Sequence, residues 1–249
     1  MATKKTMATS KKNAKSAPDS TEAAGFRGFG SHALLFLRAL AENNDRDWFN
    51  LNKSTYLEEC DAPLRELVQE IGAGLESKGV PLAPVAKNPV FRIYRDVRFS
   101  TDKSPYKTNL GAALYRDGDK SRPGLFYIHI EPGQSFFAAG FYHPEPPVLK
   151  EYRSAIAADP SGLANLVRAL ESKGLKLDNG EPLARMPKGF EDQAESPVAA
   201  ILRKRSLITS RPLADDDLER PDLADVAIQF ATAALPLLEY FQARVEKGD

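Results

Sequence analysis

Residues 124–142 read GLFYIHIEPGQSFFAAGFY, and their spacing decides the fold class. Successive side chains of a β-strand point to opposite faces. That rule places Phe126, Ile128 and Ile130 on one side and Leu125, Tyr127, His129 and Glu131 on the other. Pro132-Gly133 supplies a turn, and a second run follows at 135–142. Strands joined by so short a turn are antiparallel neighbours. Upstream, Leu110 to Arg116 forms another strand, closed by Asp117-Gly118. Residues 90–99 also alternate, with Phe91, Ile93, Val97 and Phe99 opposite Arg92, Tyr94, Asp96 and Arg98. The expected core is a central antiparallel sheet, a meander of about four strands over residues 90–143, with one face against helices.

The flanks change period. Leu64, Leu67, Val68, Ile71 and Leu75 recur at helical spacing, with Asp61 before the run and Gly79 after it. Ser31 is the expected N-cap of a helix burying Leu34, Leu37 and Leu40. Asn43-Asn44 ends it, and Asn44 or Asp45 caps the next, which carries Trp48 and Phe49. The glycine-rich stretch at 25–30 reads as a flexible entry to the first helix. After the sheet, helices are expected from Pro147, from Asp159-Pro160, briefly from Ser196-Pro197, and from Pro221 onward, with Pro236 kinking or dividing the last. Residues 175–195 read as a loop containing a short strand. The fold class is α+β, in one domain over residues 25–249.

Charge narrows the functional classes. The chain has 34 basic and 34 acidic residues, but Lys4, Lys5, Lys11, Lys12 and Lys15 face only Asp19 and Glu22 within residues 1–24. That segment has almost nothing to bury and reads as a disordered tail. The remainder is mildly acidic, so the overall basic footprint of a general nucleic-acid binder is missing. One cysteine, Cys60, excludes an intrachain disulfide and fits a reducing compartment. The N-terminus lacks the apolar block of a secretory signal, and cytoplasm is the expected location, with no membrane partner. The three histidines fall in no HxH or HExxH spacing, and no metal or cofactor is expected.

The densest chemistry lies at residues 91–109, FRIYRDVRFSTDKSPYKTN. Arg92, Arg95, Arg98, Lys103 and Lys107 lie within sixteen residues beside Asp96 and Asp102. Arg95 falls on the apolar face, where a guanidinium must find a carboxylate, a backbone bulge or a bound anion. Pro105 stiffens the exit loop. Arginine offers phosphate and carboxylate a planar fork, and lysine offers a point charge. Arg92, Arg95, Arg98, Lys103, Tyr106 and Lys107 are therefore the candidate ligand-binding residues. His129, sharing a face with Tyr127 and Glu131, and Asp96 are the candidates for proton transfer. A laddered ion-pair network explains the same arginines without any ligand.

Several of these elements together resemble the "domain of unknown function 2461" family of bacterial and fungal proteins. The carriers are Asp47-Trp48-Phe49, the run Phe91–Lys107, Tyr127-Ile128-His129-Ile130, Ala139-Gly140-Phe141-Tyr142 and Pro187-Lys188-Gly189-Phe190. The resemblance covers nearly all of residues 26–246. It implies one shared α+β domain and carries no activity or catalytic residue with it.

The sequence thus points first to a protein binding a small phosphate- or carboxylate-bearing ligand, and to an enzyme if the arginines stabilise developing charge. A non-catalytic scaffold with structural arginines, and a nucleic-acid binder using the basic strand face and the lysine tail, are the alternatives.

Overall fold

The computed structural model describes residues 25–245 except 179 and 181. The tail expected over residues 1–24 lies outside the described residues.

Four helical segments lead in: α1 (Ser31–Glu42), α2 (Arg46–Leu51), the single turn α3 (Lys53–Thr55) and a π-helical stretch (Tyr56–Asp61) that runs directly into α4 (Ala62–Ser77). Helix α1 starts at Ser31, but its N-cap is Gly30 and no side chain caps it. Asp45, by contrast, caps α2 through both the Asp47 and Trp48 amides. The glycine-rich entry is anchored rather than flexible. Phe26 and Phe29 are buried, the Phe29 amide donates to the Leu218 carbonyl at 2.8 Å, and the Phe26 amide to Glu70 Oε2 at 2.8 Å. Between them Gly28 takes φ +98°, where a Cβ would lie 2.2 Å from the Glu219 carbonyl oxygen.

The sheet follows: β1 (Leu82–Pro84), β2 (Leu110–Arg116), β3 (Leu125–Ile130), β4 (Phe136–Phe141) and, after an excursion, β5 (Leu207–Pro212). Among the described residues these five strands lie in chain order, every neighbouring pair antiparallel. Residues 90–99 form no regular strand: the bridge Val90 to Ala112 touches β2, while Tyr94 bridges Tyr106 within the 91–109 segment itself. Their alternation holds only in part: Ile93 is buried and Arg92, Asp96 and Arg98 are exposed, but Phe99, expected on the apolar face, is 95% exposed. The excursion holds α5 (Pro146–Ala158), α6 (Pro160–Glu171), a 3-10 turn at Glu191–Gln193 and α7 (Ala199–Leu202). The short strand expected within 175–195 is a single bridge, Leu177 to Thr209.

After β5 come α8 (Asp215–Leu218) and α9 (Leu223–Val245), which continues unbroken through Pro236. An internal proline costs a helix about 3 kcal/mol, yet both flanks are locked into the core, with Ala234, Leu237, Leu238 and Phe241 at most 1% exposed. The apolar stretch Leu223–Ala243 is long enough to cross a bilayer, but 56% of it is buried inside this fold.

Helices α4 and α9 cover one face of the sheet. Phe126 and Phe137 project toward them and meet Phe230 of α9 at 6.1 and 6.4 Å between ring centroids. By the register, Gly111 and Ala113 of β2, Leu125, Tyr127 and His129 of β3, Phe136, Ala138 and Gly140 of β4, and Ile208 and Ser210 of β5 share the opposite face. Among the described residues, no helix covers that face as α4 and α9 cover the first.

Candidate functional site

That face carries a hollow of about 690 Å³, within the usual range for a small-molecule site. Ala138 and Gly140, with Gly111 beside them on the same face, leave its centre low. Phe91, Tyr127, Phe136 and Tyr142 stand around it. Gly140 has φ +135°, and a Cβ there would lie 2.2 Å from the Leu207 carbonyl, so this floor position admits only glycine. Gly111 matters for space: an added Cβ would sit 2.9 Å from the Tyr127 hydroxyl and 3.2 Å from Phe91. Its missing side chain lets both rings lie over the sheet.

Polar groups line the same hollow. On β3, His129 Nε2 lies 2.9 Å from Glu131 Oε2, and His129 Nδ1 lies 3.1 Å from the Tyr127 hydroxyl. A carboxylate only accepts, so Nε2 carries a proton; in the tautomer protonated at Nε2 alone, Nδ1 accepts from the phenol. Phe136 stacks on the imidazole, 4.7 Å between centroids and 17° from parallel. Thr108 Oγ1 donates to Glu131 Oε1 at 3.4 Å, holding the far end of the chain. Burial first, and then the Glu131 carboxylate and Tyr142, push the Tyr127 phenol above its usual range, so it keeps its proton. Across the sheet, Ser210 Oγ donates to the Asp178 carboxylate at 3.1 Å.

The cation-rich segment reaches the hollow at one end. The Arg95 amide donates to the Pro105 carbonyl and the Lys107 amide to the Ile93 carbonyl, at 2.9 and 2.8 Å, which makes residues 93–107 a small hairpin. Phe49 of α2 stacks on Tyr106, 4.0 Å between centroids. Asn44 completes the attachment: its Oδ1 accepts from the Tyr106 amide and its Nδ2 donates to the Tyr106 carbonyl, both at 3.0 Å. The hairpin is thereby clamped to the helical layer.

This geometry divides the six candidate ligand residues. Arg98 is turned outward in a two-bond pair with Asp96, at 2.6 and 2.9 Å. Arg95, expected to point inward, lies at the surface instead and bonds the exposed Asp102, whose pKa is held far below the usual carboxylate range by Ser104 and then Arg95. Lys103 Nζ donates to the Val97 carbonyl at 2.9 Å. Tyr106 is buried, 3% exposed, beneath Phe49. Lys107 alone of the six lines the hollow, its ammonium 5.8 Å from the Phe91 ring centroid. Among the described residues no carboxylate lies within 4.0 Å of Lys107 or Arg92. Burial first, and then the Arg92 guanidinium, lower the Lys107 pKa.

Of the two proton-transfer candidates, His129 lies in the hollow and Asp96 does not. The sequence reading missed the aromatic walls and the low floor. The alternation of Phe136, Ala138 and Gly140 against Phe137, Ala139 and Phe141 was the signal for them. No group of three or more His, Cys, Asp or Glu side chains suited to a metal ion occurs among the described residues.

No curated protein and no solved structure matches the chain. The family model described as "Conserved hypothetical protein (DUF2461)" matches residues 32–240, which include every strand and the whole hollow. A match over so much of the chain places this protein in the DUF2461 family of conserved hypothetical proteins.

Proposed function

We propose that this protein binds a small anion with a flat apolar body in the hollow on the uncovered face of its sheet. The observation that carries the reading is Lys107, a half-buried ammonium at the rim of an aromatic-walled cavity, with no carboxylate within 4.0 Å among the described residues. A charge in that position is destabilised by lost hydration and gains most from an anionic partner. Arg92 adds a second positive charge beside it. Phe91, Tyr127, Phe136 and Tyr142 supply faces for a planar group. The remaining cluster residues, Arg95, Arg98, Lys103 and Tyr106, build and brace the hairpin that presents Lys107. For Arg95 and Arg98 the carboxylate pairs favour the alternative role of structural struts. The single cysteine, free and buried, supports a cytoplasmic setting.

Isothermal titration with phenyl phosphate, benzoate, inorganic phosphate and neutral phenol tests the reading. The aromatic anions bind more tightly than phenol or phosphate, and Lys107→Met weakens them about ten-fold, a loss of ~1.4 kcal/mol. If no aromatic anion binds, or the variant binds equally well, the reading is wrong.

A further inference from the structure

Binding an anion needs Lys107 and the aromatic walls, but it does not need a hydroxyl, an imidazole and a carboxylate in hydrogen-bonded series. Tyr127 and His129 of β3 and Glu131 just beyond its end alternate along the chain and form such a series at the hollow. We propose that these three residues form a proton relay that makes the hollow an enzyme site, removing a proton from a carbon beside a carbonyl group in an aromatic, carboxylate-bearing substrate. The proposal rests on the anion-binding reading and extends it to chemistry.

The order of the groups fixes the direction of transfer. Glu131 accepts from Nε2, so a proton arriving at Nδ1 creates an imidazolium already paired with a carboxylate 2.9 Å away. Tyr127 is the member whose hydroxyl lies over the gap left by Gly111, and it donates to Nδ1 at 3.1 Å. In the step, the substrate C–H bond breaks as its proton passes to the Tyr127 oxygen. The phenolic proton moves at the same time to Nδ1. The C–H electron pair forms the C=C bond of an enolate, and the carbonyl pair moves onto oxygen. The new negative charge faces the Lys107 ammonium. Reversal returns a proton to carbon or to oxygen, so the net reaction is isomerisation or exchange and consumes no second reagent. Tyr127 is the catalytic residue, His129 receives its proton, and Glu131 is a positioning residue. Other groups facing the relay are Asn109, whose Nδ2 is 3.4 Å from Nδ1, Thr108 against Glu131, and Lys107, Asp178 and Tyr142 lining the same hollow.

The probe is phenylpyruvate with the full chain, read in two ways. Titration calorimetry measures binding, and NMR in deuterated water measures exchange of the side-chain CH₂ protons. The wild type binds it and speeds exchange over buffer. Tyr127→Phe lowers the rate about a hundred-fold or more, in the range of general acid–base contributions, while affinity changes little. Nitrogen NMR on labelled histidine shows His129 protonated at Nε2 and not at Nδ1, and Glu131→Gln moves those resonances. Binding without accelerated exchange, or exchange unaffected by Tyr127→Phe, overturns the relay and leaves the binding reading intact. Absence of both binding and exchange overturns both. Should Tyr127→Phe fail to fold, His129→Gln gives the same test, since it must also abolish exchange while Lys107-dependent binding persists.

Discussion

Replacing Asn44 by alanine removes a side chain that ties the hairpin backbone to the helical layer. Asn44 makes two hydrogen bonds to Tyr106, both 3.0 Å, across 62 residues of chain. Each such bond contributes about 1 kcal/mol net, and a buried group left unpaired costs roughly 1–3 kcal/mol. Tyr106 is 3% exposed, so its amide and carbonyl gain little hydration in exchange. Some water enters the space vacated by the amide, and a loss of about 2–4 kcal/mol is expected. Asn44→Asp keeps the acceptor for the Tyr106 amide but sets a carboxylate against its carbonyl, and falls between alanine and wild type. Urea unfolding with an unchanged slope reads the difference. Because Lys107 follows Tyr106 directly, phenyl phosphate affinity falls in the same variants. An Asn44→Ala protein within ~0.5 kcal/mol of wild type, the scatter of neutral surface changes, refutes the clamp.

Further outcomes follow from the same geometry. Gly111→Ala places a methyl 2.9 Å from the Tyr127 hydroxyl, the mobile end of its side chain. Unfolding shows a change of no more than ~1 kcal/mol, since alanine also restricts the unfolded chain, while labelled-histidine NMR shows His129 losing its phenol partner. The Cys60 thiol is pushed up to about 12 by burial and then by Glu59 and Asp61. A thiol reagent near neutral pH labels it only in urea, and fast labelling of the folded protein contradicts the packing. With phenyl phosphate, the pH dependence follows from Lys107, whose folded pKa lies below its unfolded one. Between those two values the unfolded chain holds more protons, so stability rises with pH there as the strained ammonium discharges. Anion affinity falls over the same interval, and calorimetry in buffers of different ionisation enthalpy detects proton uptake on binding. Affinity constant throughout that window contradicts the assignment.

The fold class and the β2–β4 meander were legible because one face is buried, and burial writes its period into the sequence. Strand β5 was not legible. Leu207–Pro212 follows a basic turn and pairs with β4 across more than sixty residues, a long-range fact with little local signal. Residues 90–99 carried a strand's alternation without becoming a regular strand, because β1 takes the edge pairing at Leu82–Pro84 and the later segment folds back on 105–107 instead. The cation cluster was visible as composition, but its division was not. Whether an arginine meets a carboxylate depends on the Asp102-Ser104 turn, and the place of Lys107 depends on Asn44, which read locally as a helix cap. The relay on β3 was half legible: alternation put Tyr127, His129 and Glu131 on one face, and only the structure gave the 3.1 and 2.9 Å contacts.

The most direct test of the account is the titration of Lys107 itself, followed by NMR at Cε in protein made with ¹³C-lysine and assigned through Lys107→Met. Without ligand its midpoint lies below those of the exposed lysines, and saturating phenyl phosphate moves it upward. A Lys107 signal that titrates with the exposed lysines and ignores the aromatic anion contradicts an anion site in this hollow.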